Sequence, residues 1–263
     1  MTRHLSSTLA VAASAVLIFS IAAIGQESVA DEIPGSGEPL PAGRYVSDNL
    51  GPVIEFRVQD GWQAGPSVTG PIITLESTIV PGGVLTITRF DGEAFVDSCD
   101  PLSSISVDVS VQRAAEIIGA NPLLRVAPPS ITDVDGRRAV QLDVGVPAVE
   151  DCQVPFLLLW LIPEMEQGEF VQAPDQQSRF ILVEVEDEVI VIAIESFPGV
   201  PFGSVLDASM DIVDSIRITP ASAIAETPAP SAVDVSPAPS NTPGPTPAPQ
   251  RTLTPLATDS PEA

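Results

Sequence analysis

Three pairs of apolar runs are each joined by residues suited to a tight turn, and no other feature of the chain constrains its fold as strongly. Runs at 72–80 and 84–90 flank Pro81-Gly82-Gly83. Runs at 129–134 and 138–146 flank Asp135-Gly136, and runs at 180–185 and 189–196 flank Glu186-Asp187-Glu188. Glycine reaches positive φ without a Cβ penalty, and Asp-Gly suits the two-residue turns whose twist matches a hairpin. Antiparallel pairing follows. Ile54-Glu-Phe-Arg-Val58 alternates apolar and polar, as a half-buried strand does, and Asp60-Gly61 ends it. The unbroken apolar run 155–162 around Trp160 reads as a central strand covered on both faces, and 91–104 as a loop.

Two helices join these strands. Ser110 is placed to cap a helix over 111–120, which Asn121-Pro122 ends. A later helix presents Phe202, Val205, Leu206, Met210 and Val213 at helical spacing, and Ile216-Arg217-Ile218 closes as a short strand. The expected fold class is α+β: an antiparallel sheet built from hairpins, flanked by two helices, with a disordered C-terminal tail.

The ends of the chain have a different character. Residues 1–30 read as a signal peptide, with Arg3 in the positive segment, an apolar run over 9–25 and Ser28-Val29-Ala30 before Asp31. The alternative is an uncleaved N-terminal helix acting as an anchor, which would be the chain's one membrane contact. Residues 31–40 read as a short linker, 41–219 as a single α+β domain, and 220–263 as a Pro/Ala/Ser/Thr-rich tail. Alternate prolines, as in Pro243-Gly-Pro-Thr-Pro-Ala-Pro249, prevent backbone ladders and leave little apolar mass to offset ordering entropy. Either reading of the head places the domain outside the cytoplasm, secreted or in the cell envelope.

Composition then narrows the chemistry. The single histidine is His4, within the head, and all 11 basic residues are arginines. A processed chain therefore has no histidine base, no Ser-His-Asp triad, no histidine-ligated zinc, no Walker lysine and no Schiff-base lysine. Cys99 and Cys152 are the two cysteines, and in an exported chain they are expected to pair. Closing that loop stabilises the fold by about 4 kcal/mol in the chain-entropy model. The formal charge of −24 repels nucleic acid and anionic membrane surfaces.

Phe56-x-Val58-x-x-Gly61-Trp62, together with the late amphipathic helix running into Asp214-Ser215-Ile216-Arg217, resembles the PsbP-like α/β/α sandwich family. That family includes exported bacterial lipoproteins and an accessory subunit of the oxygen-evolving complex. The resemblance covers residues 41–218, and this chain departs from the lipoproteins in lacking a lipid-bearing cysteine. It implies a helper or binding domain and not a catalyst, and it assigns no functional residues.

Acidic residues supply the candidate site. If Cys99 and Cys152 pair, Asp97, Asp100, Glu150 and Asp151 come into one neighbourhood, and calcium is the cofactor such hard oxygens could hold. Asp133-Val-Asp135-Gly136 has the start of a calcium loop but continues with Arg137-Arg138, so the hairpin-turn reading prevails. Glu184, Glu186, Asp187 and Glu188 could pair carboxylates for glycoside hydrolysis, yet their place at a hairpin tip fits solvated residues. Gly65-Pro-Ser67 is followed by Gly70, which spoils a nucleophile elbow. Trp62 and Trp160 read as core anchors.

The expected function is therefore an exported, non-enzymatic accessory or binding domain that meets an unknown protein or small ligand at the cell surface. Two alternatives stand beside it: a carboxylate-dependent hydrolase, with or without calcium assistance, and a structural acidic envelope protein.

Overall fold

The computed structural model describes residues 30–66, 71–147, 152, 156–162 and 169–225. Its centre is a nine-stranded antiparallel sheet. From one edge the order is Arg125–Val126, Arg137–Gly145, Gln177–Val185, Glu188–Ser196, Gly83–Phe90, Ile72–Ser77, Trp62–Ala64 and Pro39–Leu40. Ser130–Val134 pairs with Arg137–Gly145 beside the first of these. The three hairpins expected from the turn residues are the backbone of this sheet, with Asp135, Gly136, Glu186 and Gly82 all at positive φ.

The longest strands are apolar on both sides because both sides are covered. In Glu188–Ser196, Ile190, Ile192 and Ile194 face one core, while Val189, Val191 and Ala193 face the other. The first core is closed by the helix Phe202–Ser215 and by a four-stranded sheet of Asp31–Glu32, Gly43–Ser47, Val53–Val58 and Arg217–Thr219. The second is closed by the helix Val111–Ala120 and by a sheet in the order Glu169–Gln172, Leu157–Leu161, Glu93–Phe95 and Ser104–Ser106. Among the described residues the fold is α+β, with mostly antiparallel sheets and three helices, the third being the short Ala221–Ala225.

Local chemistry explains the boundaries. Ser110 Oγ accepts the Arg113 N–H at 3.1 Å, and the helix it caps stops before Pro122, burying Val111, Ala114 and Ile118. Gly61 sits at φ +98° where a Cβ would lie 2.2 Å from the Ile79 side chain, so the turn before Trp62 requires glycine.

Several expectations need correction. The apolar run at 155–162 does form a buried strand, Leu157–Leu161, but it is interior to a covering sheet and does not belong to the central one. Residues 91–104 are not simply a loop: Glu93–Phe95 and the start of Ser104–Ser106 pair within that covering sheet. The late helix buries Val205, Ser209, Ile212 and Val213, with Phe202, Leu206 and Met210 packed half-buried at the rim. Asp31–Glu32 and Pro39–Leu40, in the stretch read as a linker, pair with Gly43–Ser47 and Trp62–Ala64, and Leu40 is buried. The signal-like head before residue 30 and the proline-rich stretch from 226 lie outside the described residues.

Candidate functional site

The second covering layer does not fill its side of the sheet. Beside the helix Val111–Ala120 it leaves a groove of about 1170 Å³. Ala115, Ile117 and Val140 contribute apolar lining, Ile131 and Ile105 stand exposed within it, and Arg138 and Glu184 add charge. Strand register explains this mixture. Ile131, Val140 and Leu182 form one cross-strand row on the helix side, and Arg138 and Glu184 lie two residues further along their strands on that same face. Glu116 also lines the groove. Hydrogen bonds from Gln112 and Arg113 hold its carboxyl below the usual range.

One boundary of the groove is an open sheet edge. Among the described residues, Ser130–Val134 pairs with Arg137–Gly145 on one side only, and its residue Ile131 is 62% exposed. Such an edge presents unpaired backbone donors and acceptors.

A second feature lies elsewhere on this face. Glu195, 8% exposed, accepts Gln172 Nε2 at 2.8 Å and Gln176 Nε2 at 2.7 Å on Oε1, and Thr86 Oγ1 at 3.1 Å on Oε2. Ser178 donates to Gln172 Oε1 at 2.5 Å, and the Ala173 N–H donates to Gln176 Oε1 at 2.8 Å, so both amides are oriented. Burial pushes the Glu195 carboxyl up to about 7, against the opposing pull of the hydrogen bonds from Gln172, Thr86 and Gln176.

Residues singled out from sequence fare differently. Cys99 and Cys152 form the expected disulfide, with Cα atoms 4.8 Å apart. Asp97 Oδ1 accepts the Cys99 N–H and Asp100 Oδ1 the Leu102 N–H, each at 2.9 Å, so one oxygen of each carboxylate braces its own loop. Glu150 and Asp151, the other two proposed calcium ligands, lie outside the described residues, as do Ser67 and Gly70. Among the described residues no group of three or more acidic, cysteine or histidine side chains could hold a metal ion.

The hairpin-tip carboxylates diverge. Glu184 lines the groove, Glu186 accepts from Ser222, and Glu188 pairs with Arg89 at 3.3 Å. Asp135 ties its turn to the closing strand Arg217–Thr219, accepting the Ile218 N–H at 2.9 Å. Trp62 and Trp160 are buried core residues, and Trp160 stacks on Phe170 with ring centroids 4.3 Å apart.

Sequence reasoning passed over Glu195 and the open edge. A signal for Glu195 existed: it follows six apolar residues in its strand, and alternation places it with Val191 and Ala193 on a covered face.

No family model and no curated protein matches the chain. Among solved structures it is similar to cyanobacterial PsbP from Synechocystis sp. PCC 6803, at 12% identity over 70% of this chain and 97% of that one, with a TM-score of 0.36. It is also similar to a protein from Bacteroides thetaiotaomicron VPI-5482, at 8% identity over 68% of this chain, with a TM-score of 0.37, and spans about half (48%) of that protein. The first likeness is to the family that the Phe56–Trp62 stretch resembles. At these TM-scores neither likeness carries an argument about function.

Proposed function

We propose that this chain is an exported, non-catalytic binding domain whose groove takes an extended, apolar segment of a partner protein outside the cytoplasm. One observation carries this function: an apolar trough and the open edge of Ser130–Val134 lie side by side. An extended segment can add a strand to such an edge while its alternate side chains enter the trough. The charge of −24 selects against acidic segments and favours neutral or basic ones. The body's lack of histidine and lysine supports binding over catalysis. The Cys99–Cys152 disulfide supports an oxidising compartment.

The test is a displayed library of extended peptides selected against the oxidised full chain. Selected sequences should alternate apolar and polar residues and carry no net negative charge. Ile131→Lys should weaken their binding about tenfold or more, because it replaces an apolar contact with a buried charge. Failure to select any saturable binder, or binding indifferent to Ile131→Lys, overturns the proposal.

A further inference from the structure

We propose that Glu195 is a proton-operated latch: neutral, it fastens residues 169–176 onto the central sheet, and ionised, it lets that segment lift away. This stands apart from the groove and does not depend on its function. The geometry begins with the hydrogen bonds. The Ala173 N–H can only donate, so the Gln176 amide must turn its NH₂ toward Glu195. Oε1 thus receives two amide donors in either protonation state. Oε2 can accept from the Thr86 hydroxyl when ionised or donate to it when protonated. The neutral acid therefore satisfies every bond in the cluster.

The ionised form has the same partners but no counter-charge. Its cross-strand row reads Val144, Ser178, Glu195, Val84, Glu76 and Gln63. Glu76 is the charged member of that row besides Glu195, lies two strands away, and accepts Gln63 Nε2 at 2.7 Å. The Asp143–Arg179 ion pair alternates onto the opposite face of the sheet. From the covering segment Gln172 and Gln176 face the carboxyl, while Asp175 is exposed. No arginine or other cation answers the charge among the described residues, and a buried unpaired charge is resolved by neutralisation or by admitting water.

Among the described residues Glu169–Gln172 is the edge strand of its covering sheet and pairs with Leu157–Leu161, while the Asp175 N–H donates to Val146 O at 2.8 Å and the Val146 N–H to Gln176 O at 2.9 Å, so lifting starts at the Glu169 end. Its Phe170 stacks on Trp160, so lifting the segment changes the surroundings of that indole. The raised affinity of Glu195 for its proton, argued above from burial, places the upper end of the transition near neutrality.

The test uses the oxidised full chain. Amide-exchange protection of residues 169–176, corrected for intrinsic exchange, is followed from about pH 5 to about pH 9, beside Trp160 fluorescence in a Trp62→Phe background. Protection should fall by up to about tenfold per pH unit as pH rises towards about 7, and level off above it. Amides of Glu188–Ser196 should keep their protection, and Glu195→Gln, which mimics the neutral acid, should hold the segment closed at every pH. Exchange measured without Trp62→Phe keeps the test usable should that variant fold poorly. Constant protection over the range, the same transition in Glu195→Gln, or simultaneous loss across Glu188–Ser196 would each overturn the latch.

Discussion

The two faces of the central sheet are covered by the same kinds of element, a helix and a four-stranded sheet, yet they bury different things. Under Phe202–Ser215 and Gly43–Val58 the interface is dominated by hydrocarbon: Ile54, Phe56, Leu85, Ile192 and Ile212 are each at most 1% exposed. On the other face the apolar cluster is joined, beneath residues 169–176, by Thr86, Gln172, Gln176, Ser178 and Glu195, and beside the helix Val111–Ala120 the layer opens into a groove. Hydrocarbon packing is non-directional and tolerates no gap without loss. A polar cluster is directional, satisfied in one arrangement, and responsive to protons. One face holds the fold, while the other carries the features that can meet a ligand or sense a condition.

The comparison can be broken first on the apolar face. Phe56 is fully buried and stacks on Tyr45 at 6.2 Å, so Phe56→Ala should destabilise by about 4 kcal/mol in denaturant melts. Val140→Ala, half-buried beneath the groove, should cost about 1 kcal/mol. Equal losses at the two sites would erase the distinction between the faces.

The polar face is sharpened by pH. Folded Glu195 keeps its proton up to about 7, whereas in the unfolded chain it releases it near 4.5, so between these values the folded state binds more protons. Its contribution is fully present below about 4.5 and is lost as pH rises through about 7, a change of about 3 kcal/mol. Urea midpoints measured across this window should decline in the wild type and decline less in Glu195→Gln. An effect as small as that of Val140→Ala belongs to the helix beside the groove: Ser110→Ala removes the cap on Arg113 N–H and should cost about 1 kcal/mol, read from the same melts.

Sequence pattern reached the parts of this molecule that are decided locally. Asp135-Gly136, Gly82 and the Ser110 cap each act through backbone chemistry within a few residues, and those turns and that helix stand where the pattern puts them. Sheet membership is decided across the chain, which is why Leu157–Leu161 was legible as a buried strand while its place in a covering sheet was not. Glu93–Phe95 escaped because three residues are too few to show a period. The acidic residues near Cys99 drew attention by their charge, yet Asp97 and Asp100 are occupied with their own backbone. Glu195 drew none, because one carboxylate at the end of an apolar strand has no motif. The groove exists only once the Val111–Ala120 helix is laid over the sheet beside an unpaired edge, and no short stretch of residues encodes that meeting.

The most direct measurement is amide exchange of the full chain with and without a peptide selected from the library. The account predicts added protection in Ser130–Val134 and along Val111–Ala120, with Phe202–Ser215 and Val53–Val58 unchanged. Protection appearing on the Phe202–Ser215 face, or none at the Ser130–Val134 edge, would contradict it.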